Sequence, residues 1–125
     1  MSYVKEEIEN YLREVKMLVA DKKYYVAKRK NNDLLFVNYL IDEAMVKSIL
    51  MNLNIYDFCK IVDNEHPNYA DERLYIFSKK INLDYRYIEC SKDVSLYIKL
   101  NKIDDKYCVV VSFHEQEYPL KTYFI

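Results

Sequence analysis

The chain has 125 residues, 51% of them hydrophobic and 31% charged, which suits one folded domain over residues 1–125 and excludes a disordered chain. The formal net charge of −1 argues against a global positive field for nucleic acid, and the absence of glycine excludes the Gly-rich phosphate loops of P-loop and Rossmann proteins. No run of about 18 apolar residues is present, and the N-terminus has no basic and apolar leader, so we predict a cytoplasmic protein without a membrane span.

The first predicted element is an amphipathic helix over residues 3–20. Its apolar positions, including Val4 and Ile8, follow helical spacing, and Ser2 is a candidate N-cap. Residues 24–29 follow as a candidate for a short strand.

Two further helices are predicted before the main strands begin. Residues 31–40 read as a short helix with Asn32 or Asp33 as its N-cap, and Asp42 should cap a helix over residues 43–52. Asn and Asp suit these positions because their side chains accept hydrogen bonds from the free N–H groups of a helix start.

From residue 55 onward the apolar period changes to two, which is typical of β-strands. Strands are predicted over residues 55–62, 73–81, 94–101 and 107–113, while residues 83–90 form either a further strand or an arm. Helices followed by such a meander predict an α+β fold, with an antiparallel sheet of about four to six strands and the N-terminal helices on one face.

Alternation along the strands divides the side chains between the helix-covered face and an opposite, open face. We expect one core shared by Val4, Ile8, Leu12, Val15, Met45, Ile49, Leu96, Ile98, Val109, Val111 and Phe113. The open face should carry Tyr97 and Lys99, together with Ser112 and His114 on the side of Cys108 and Val110, and Lys60 on the side of Phe58.

The predicted open face gathers groups suited to metal-independent cleavage of RNA. That reaction needs a base for the 2′-hydroxyl, an acid for the 5′-oxygen and a cation for the charged phosphorane. His114 can act as acid or base because imidazole titrates near neutrality, and Tyr97 can donate a proton or a hydrogen bond. Lys60 and Lys99 can hold the phosphate. The alternative for His114 is a hydrogen-bonded or solvent-facing residue at a strand end.

A local basic stretch and the cysteines complete the candidate groups. Residues 22–30 include Lys28, Arg29 and Lys30 and contain no acid, so they form either an RNA-binding surface or a solvated rim. Three widely spaced cysteines without a C-x-x-C pair indicate reduced structural thiols, and no metal site is expected.

Three motifs resemble the motility quorum-sensing regulator (MqsR) toxin family. They are "DFCK" at residues 57–60, "LYIKL" at 96–100 and "VVVSFHEQEYPLK" at 109–121, and the likeness extends from the first helix to about residue 121. The resemblance implies a RelE-like mRNA interferase from a type II toxin–antitoxin system, with no cofactor. Its expected partners are mRNA and a cognate antitoxin, without a membrane and without DNA except through the antitoxin.

Transferred by motif, the resemblance makes Lys60, Tyr97 and His114 the expected catalytic residues, with His114 where the family commonly has lysine. Lys28, Arg29, Lys30, Lys80 and Lys99 are the expected RNA-binding residues. The family glutamine should fall near Ile76, where this chain has none, and Ser78 and Lys80 are candidate substitutes. Residues 82–93 look like an insertion.

Two other functional classes stay open. The missing glutamine favours a catalytically inactive module that binds an antitoxin or RNA on the same fold. A further alternative is an RNA-binding protein that stacks bases on sheet aromatics, with Tyr97 as the platform.

Overall fold

The computed structural model describes residues 2–125, which form three α-helices and five β-strands. This confirms the predicted α+β fold, and α1 is packed against the sheet. Two short 3₁₀ turns, Ile55–Asp57 and Pro67–Tyr69, flank the second strand. The elements are α1 (Lys5–Ala20), β1 (Tyr24–Val26), α2 (Lys30–Asn38), α3 (Glu43–Met51), β2 (Phe58–Asp63), β3 (Arg73–Asp84), β4 (Ser91–Ile103) and β5 (Tyr107–Glu115).

The sheet is mixed, which corrects the expectation of a purely antiparallel one. Within residues 2–125 its order is β1-β5-β4-β3-β2, and β2 to β5 form an antiparallel meander. β1 pairs parallel with β5, with Tyr24 opposite Cys108. A parallel pair needs a long connection, and here α2, α3 and the first three strands of the meander provide it.

The core lies between the helices and one sheet face. As predicted, it contains Ile8, Leu12, Val15, Ile49, Leu96, Ile98 and Phe113, and Met45 packs against it in part. Val4 is 54% exposed because it is the N-cap residue of α1, a position that sequence analysis gave to Ser2. Asp42 caps α3 as predicted, and its Oδ1 accepts a 2.8 Å hydrogen bond from Met45 N.

A β-bulge in β5 reverses the side-chain alternation predicted for its first half. Lys99 pairs with Ser112, but the next residue of β4 pairs with Val110, so Val111 is the extra residue. Val110 and Cys108 are therefore fully buried in the core, while Val109 and Val111 line a depression on the open face. The predicted core positions of Val109 and Val111 are wrong, and Ser112 and His114 still reach the open face.

Helix α2 lies beside the part of β5 that extends beyond β1, and Asn32 connects α2 to β5. Its Nδ2 donates to Ala27 O at 2.9 Å and to Val111 O at 3.1 Å, and its Oδ1 accepts from Phe113 N at 2.8 Å. Asn32 is 1% exposed. Its side chain makes the hydrogen bonds to β5 that a neighbouring strand would otherwise make, and it does not cap α2. The N-cap position belongs to Arg29.

The segment 82–93 is a continuation of β3 and β4 with the connection between them, and it supports α2. Tyr85 forms an isolated bridge with Tyr39. The guanidinium of Arg86 donates to Phe36 O at 2.7 Å and to Tyr39 O at 3.3 Å, which satisfies carbonyls at the C-terminal end of α2. The arm therefore braces the helix whose N-terminal end borders the open face.

Candidate active site

A depression of about 500 Å³ lies on the open face between α2 and the C-terminal segment. Its floor comes from β4 and β5, one wall from the start of α2, and the other wall from residues 117–120. The floor consists of Tyr97, Lys99, Ser112 and His114, and the walls include Arg29, Lys30, Glu117, Tyr118 and Leu120. Tyr97, Lys99 and His114, which sequence analysis predicted to share the open face, thus lie together in one depression.

Tyr97 and His114 are direct partners in the β4–β5 register. Their rings are stacked, with centroids 5.2 Å apart and an angle of 9° between their planes. Both residues are half-buried. The β-bulge at Val111 makes this pairing possible, because it returns His114 to the open face after a core residue, Val110.

The backbone fixes which nitrogen of His114 is available to a ligand. Nδ1 lies 2.9 Å from the carbonyl oxygen of Glu115. A carbonyl oxygen only accepts, so this contact is a hydrogen bond when Nδ1 carries the proton. In the neutral ring Nε2 is then the unprotonated nitrogen, which is the atom that a general base needs.

Burial shifts the pKa values of the two floor residues Lys99 and Tyr97, and Arg29 acts on both as a neighbouring charge. Burial lowers the pKa of the Lys99 ammonium, the neighbouring Arg29 lowers it further, and Glu65 opposes both effects. Burial raises the pKa of the Tyr97 hydroxyl, Cys59 adds to this, and Arg29 opposes it. Tyr97 therefore holds its proton more firmly, and Lys99 holds its proton less firmly, than in water.

Lys60 lies in an adjoining depression of about 570 Å³, which shares Arg29, Tyr97 and Lys99 with the first. A second bulge brings it there, because Phe58 pairs with Phe77 whereas Lys60 pairs with Ile76. Phe58 is buried in the core, so its predicted place beside Lys60 is wrong. Lys60 itself is exposed on the open face, as expected.

The position expected for a family glutamine is occupied by Ile76, which is 2% exposed and lines the same depression as Lys60. An amide from Gln116, which sequence analysis did not select, contacts β3 at Ser78. Gln116 Nε2 donates to Ser78 Oγ at 2.7 Å and to Leu96 O at 2.9 Å. Its place in the "HEQEYP" motif was the available signal, but its direction across two strands was not readable from sequence.

The two carboxylates that follow His114 have different surroundings. Glu115 accepts hydrogen bonds from Tyr39 OH at 3.0 Å and from Lys92 Nζ at 2.8 Å. Glu117 is exposed and lines the depression. Glu115 thus ties the end of β5 to the helix side and to the arm, whereas Glu117 can face a ligand.

Of the five residues predicted to bind RNA, three line the depressions and two lie outside them. Arg29, Lys30 and Lys99 line the first depression, and Arg29 and Lys99 also line the second. Lys28 and Lys80 are exposed, and they are not among the described residues that line either depression. The basic stretch therefore meets the site through its last two residues.

Residues 116–123, here called the C-terminal strap, cross the sheet from β5 to β2. At one end Gln116 N donates to Ser95 O at 2.8 Å, and at the other Tyr123 N donates to Phe58 O at 2.8 Å. In addition, Leu120 N donates to Gln116 Oε1 at 3.3 Å. The strap is therefore held at both ends while its middle forms a wall of the site.

The described residues 2–125 contain neither a metal-binding cluster nor a membrane-spanning helix. No group of three or more His, Cys, Asp or Glu side chains in this range could hold a metal ion. Likewise, none of the helices described there has the length and apolar character needed to cross a membrane.

Comparison with known proteins gave no relative. No protein-family model, no curated protein and no solved structure matches the chain. The resemblance to the MqsR toxin family therefore stays a prediction that rests on the motifs.

Proposed function

We propose that this protein is a metal-independent endoribonuclease that cleaves mRNA, acts in the cytoplasm as the toxin of a type II toxin–antitoxin system, and arrests growth. The observation that carries the proposal is the stacked Tyr97–His114 pair, with Nε2 of His114 as the free nitrogen, beside Lys99 and Arg29. A base, a protonated hydroxyl and cations are the groups that phosphodiester cleavage through the 2′-oxygen requires.

The proposed reaction uses each of these groups once. His114 Nε2 takes the proton of the 2′-hydroxyl, and the 2′-oxygen forms a bond to phosphorus. The bond from phosphorus to the 5′-oxygen breaks, and Tyr97 gives its proton to that oxygen. Lys99 and Arg29 stabilise the negative charge of the phosphorane, and Lys60 binds the phosphate from the adjoining depression. The products carry a 2′,3′-cyclic phosphate and a 5′-hydroxyl.

A purified-protein assay tests this proposal directly. Single-stranded RNA should be cut in the presence of EDTA, with a 2′,3′-cyclic phosphate on one product and a 5′-hydroxyl on the other. Lys60→Met and Tyr97→Phe should each slow cleavage, because each removes one group from the reaction. RNA that stays intact under these conditions contradicts the nuclease proposal.

A growth assay tests the biological part. Induced expression of the chain alone should stop growth, and co-expression of an antitoxin encoded in a neighbouring reading frame should restore it. Growth that continues at full rate with the folded protein present contradicts the toxin assignment, even if RNA is cut in vitro.

The second candidate is a non-catalytic module that binds an antitoxin or RNA. Ile76 favours it, because an apolar side chain lies beside Lys60 where the resemblance predicts a glutamine. RNA that is bound but uncut by the wild-type protein, with Lys60→Met reducing affinity, would support this candidate over the nuclease.

A further inference from the structure

The two walls of the first depression differ in chemical character. Arg29 and Lys30 on the α2 side are cationic, and Lys99 adds a third positive charge on the floor. The strap side presents an aromatic ring, an aliphatic side chain and a carboxylate, from Tyr118, Leu120 and Glu117. A phosphate is favoured on the first side and disfavoured beside Glu117, whereas a nucleobase has no formal charge and an apolar face.

Tyr118 stands out on the strap wall. It is 78% exposed although it lines the depression. The strap that carries it is held by the hydrogen bonds of Gln116 and Tyr123, and Pro119 follows Tyr118 directly. Proline fixes its own φ and restricts the backbone of the residue before it. The ring of Tyr118 is thus presented to the depression from a constrained segment.

We infer that Tyr118 binds a nucleobase of single-stranded RNA by stacking, next to the phosphate that occupies the α2 side of the depression. The inference rests on the proposed function, because it takes RNA as the ligand. It adds an orientation: the RNA backbone follows Arg29 and Lys30, and the bases turn toward the strap. A duplex is excluded from this arrangement, since its bases are already stacked on each other.

The first experiment measures binding without cleavage. The probe is a single-stranded oligonucleotide with fluorine in place of every 2′-hydroxyl, which removes the nucleophile. Tyr118→Ala should raise the Kd about ten- to hundred-fold, the range for loss of one base–aromatic stack, and Tyr118→Phe should bind like wild type. Tyr87→Ala is the matched control, because Tyr87 is 80% exposed on the arm and lines a different depression.

The second experiment separates stacking from a structural effect. A series of oligonucleotides of the same sequence is prepared, each with a single abasic site at a different position. Removing the base at one of these positions should weaken binding to the wild-type protein by the same factor as Tyr118→Ala. That oligonucleotide should bind Tyr118→Ala no more weakly than the intact one does, because the stack is already lost. Thermal melting should show the same Tm for the variant and the wild type, since Tyr118 buries little surface.

The outcomes distinguish this inference from the proposed function. If wild type cuts RNA and binds the probe, but Tyr118→Ala binds with an unchanged Kd, the stacking role is wrong and the nuclease proposal stands. The stacking role is also wrong if the loss of affinity caused by Tyr118→Ala adds to the loss caused by the abasic site at every position tested. If wild type neither binds the probe nor cuts RNA, the proposed function itself is wrong and the inference goes with it.

Discussion

Tyr97 and His114 face each other across β4 and β5 with parallel rings, their centroids 5.2 Å apart. Strand partners on one sheet face are close neighbours, so the proton donor and the proton acceptor of the proposed reaction belong to one rigid ladder. The Nδ1 contact to Glu115 O orients the imidazole further. Positions held by regular strands are more precise than positions on a loop, which is what proton transfer at a fixed phosphate requires.

The first prediction concerns His114. His114→Ala should lower the cleavage rate about 10²-fold or more, in the range of a general acid–base group. The free energy of unfolding should change little, because a half-buried residue at a strand end buries little apolar area. His114→Lys should restore part of the activity, because its positive charge can stabilise the phosphorane. Cleavage at the wild-type rate in His114→Ala would assign the chemistry to other residues.

The second prediction concerns the buried amide of Asn32. Asn32→Ala removes three hydrogen bonds between α2 and the β1–β5 edge, including the one from Phe113 N. Each buried backbone group left unsatisfied costs about 1–3 kcal/mol, so chemical denaturation should show a clear loss of stability. Asn31→Ala is the matched control, because Asn31 is exposed at the next position. Equal stability of the two variants would contradict the role given to Asn32.

The third prediction tests the bulge in β5. Val110→Asp should prevent folding or destabilise the protein severely, because it places an unpaired charge in a fully buried position. Val111→Asp should be tolerated far better, since Val111 is half-buried on the open face. Circular dichroism and thermal melting of the two variants distinguish the cases. The uninterrupted alternation read from sequence predicts the reverse order of damage.

The side-chain directions in β5 could not be predicted from sequence, whereas those of the regular elements could. Periodicity predicted α1, α3 and the faces of β4 correctly because regular elements repeat their environment. A bulge adds one residue without a signature in an apolar run such as "CVVVSF", so the faces of Val109 and Val111 could not be read. The candidate site was nevertheless predicted in part, since Tyr97, Lys99 and His114 lie together.

What sequence could not supply was contact between distant segments. Asn is a residue type typical of helix caps, and only the position of Asn32 beside β5 shows that it binds Val111 and Phe113 instead. In the same way, Gln116 meets Ser78 because the strap crosses the sheet. Both contacts join residues more than 35 positions apart, where local propensity carries no information.

The fourth prediction is a loss of stability at alkaline pH. Burial raises the pKa of the Cys108 thiol from 9.0 to about 12, against the opposing effect of Lys102. The folded state then keeps a proton that the unfolded state releases, so stability is fully present below pH 9.0 and is lost as pH rises toward 12. The slope for this one group is about 1.4 kcal/mol per pH unit.

Cys108→Ala isolates this contribution from Cys59 and Tyr39, whose raised pKa values act in the same direction. Denaturant unfolding at several pH values above 9.0 should show a shallower decline for Cys108→Ala than for wild type. Cys90→Ala serves as the control, because Cys90 is exposed. An unchanged decline in Cys108→Ala would show that the thiol does not stay protonated in the folded protein.

The fifth prediction separates a phosphate contact from diffuse charge in the basic stretch. Arg29 lines both depressions, whereas its neighbour Lys28 is exposed outside their described linings. Arg29→Ala and Lys28→Ala remove the same net charge, so a general field effect should change RNA binding equally in both. A direct phosphate contact should instead make the slope of log affinity against log salt shallower by about 0.7 in Arg29→Ala alone.

Arg29→Ala should also raise the pKa of Lys99 and of Tyr97, because the Arg29 charge lowers both. Equal salt slopes for the two variants would contradict a direct contact between Arg29 and a phosphate.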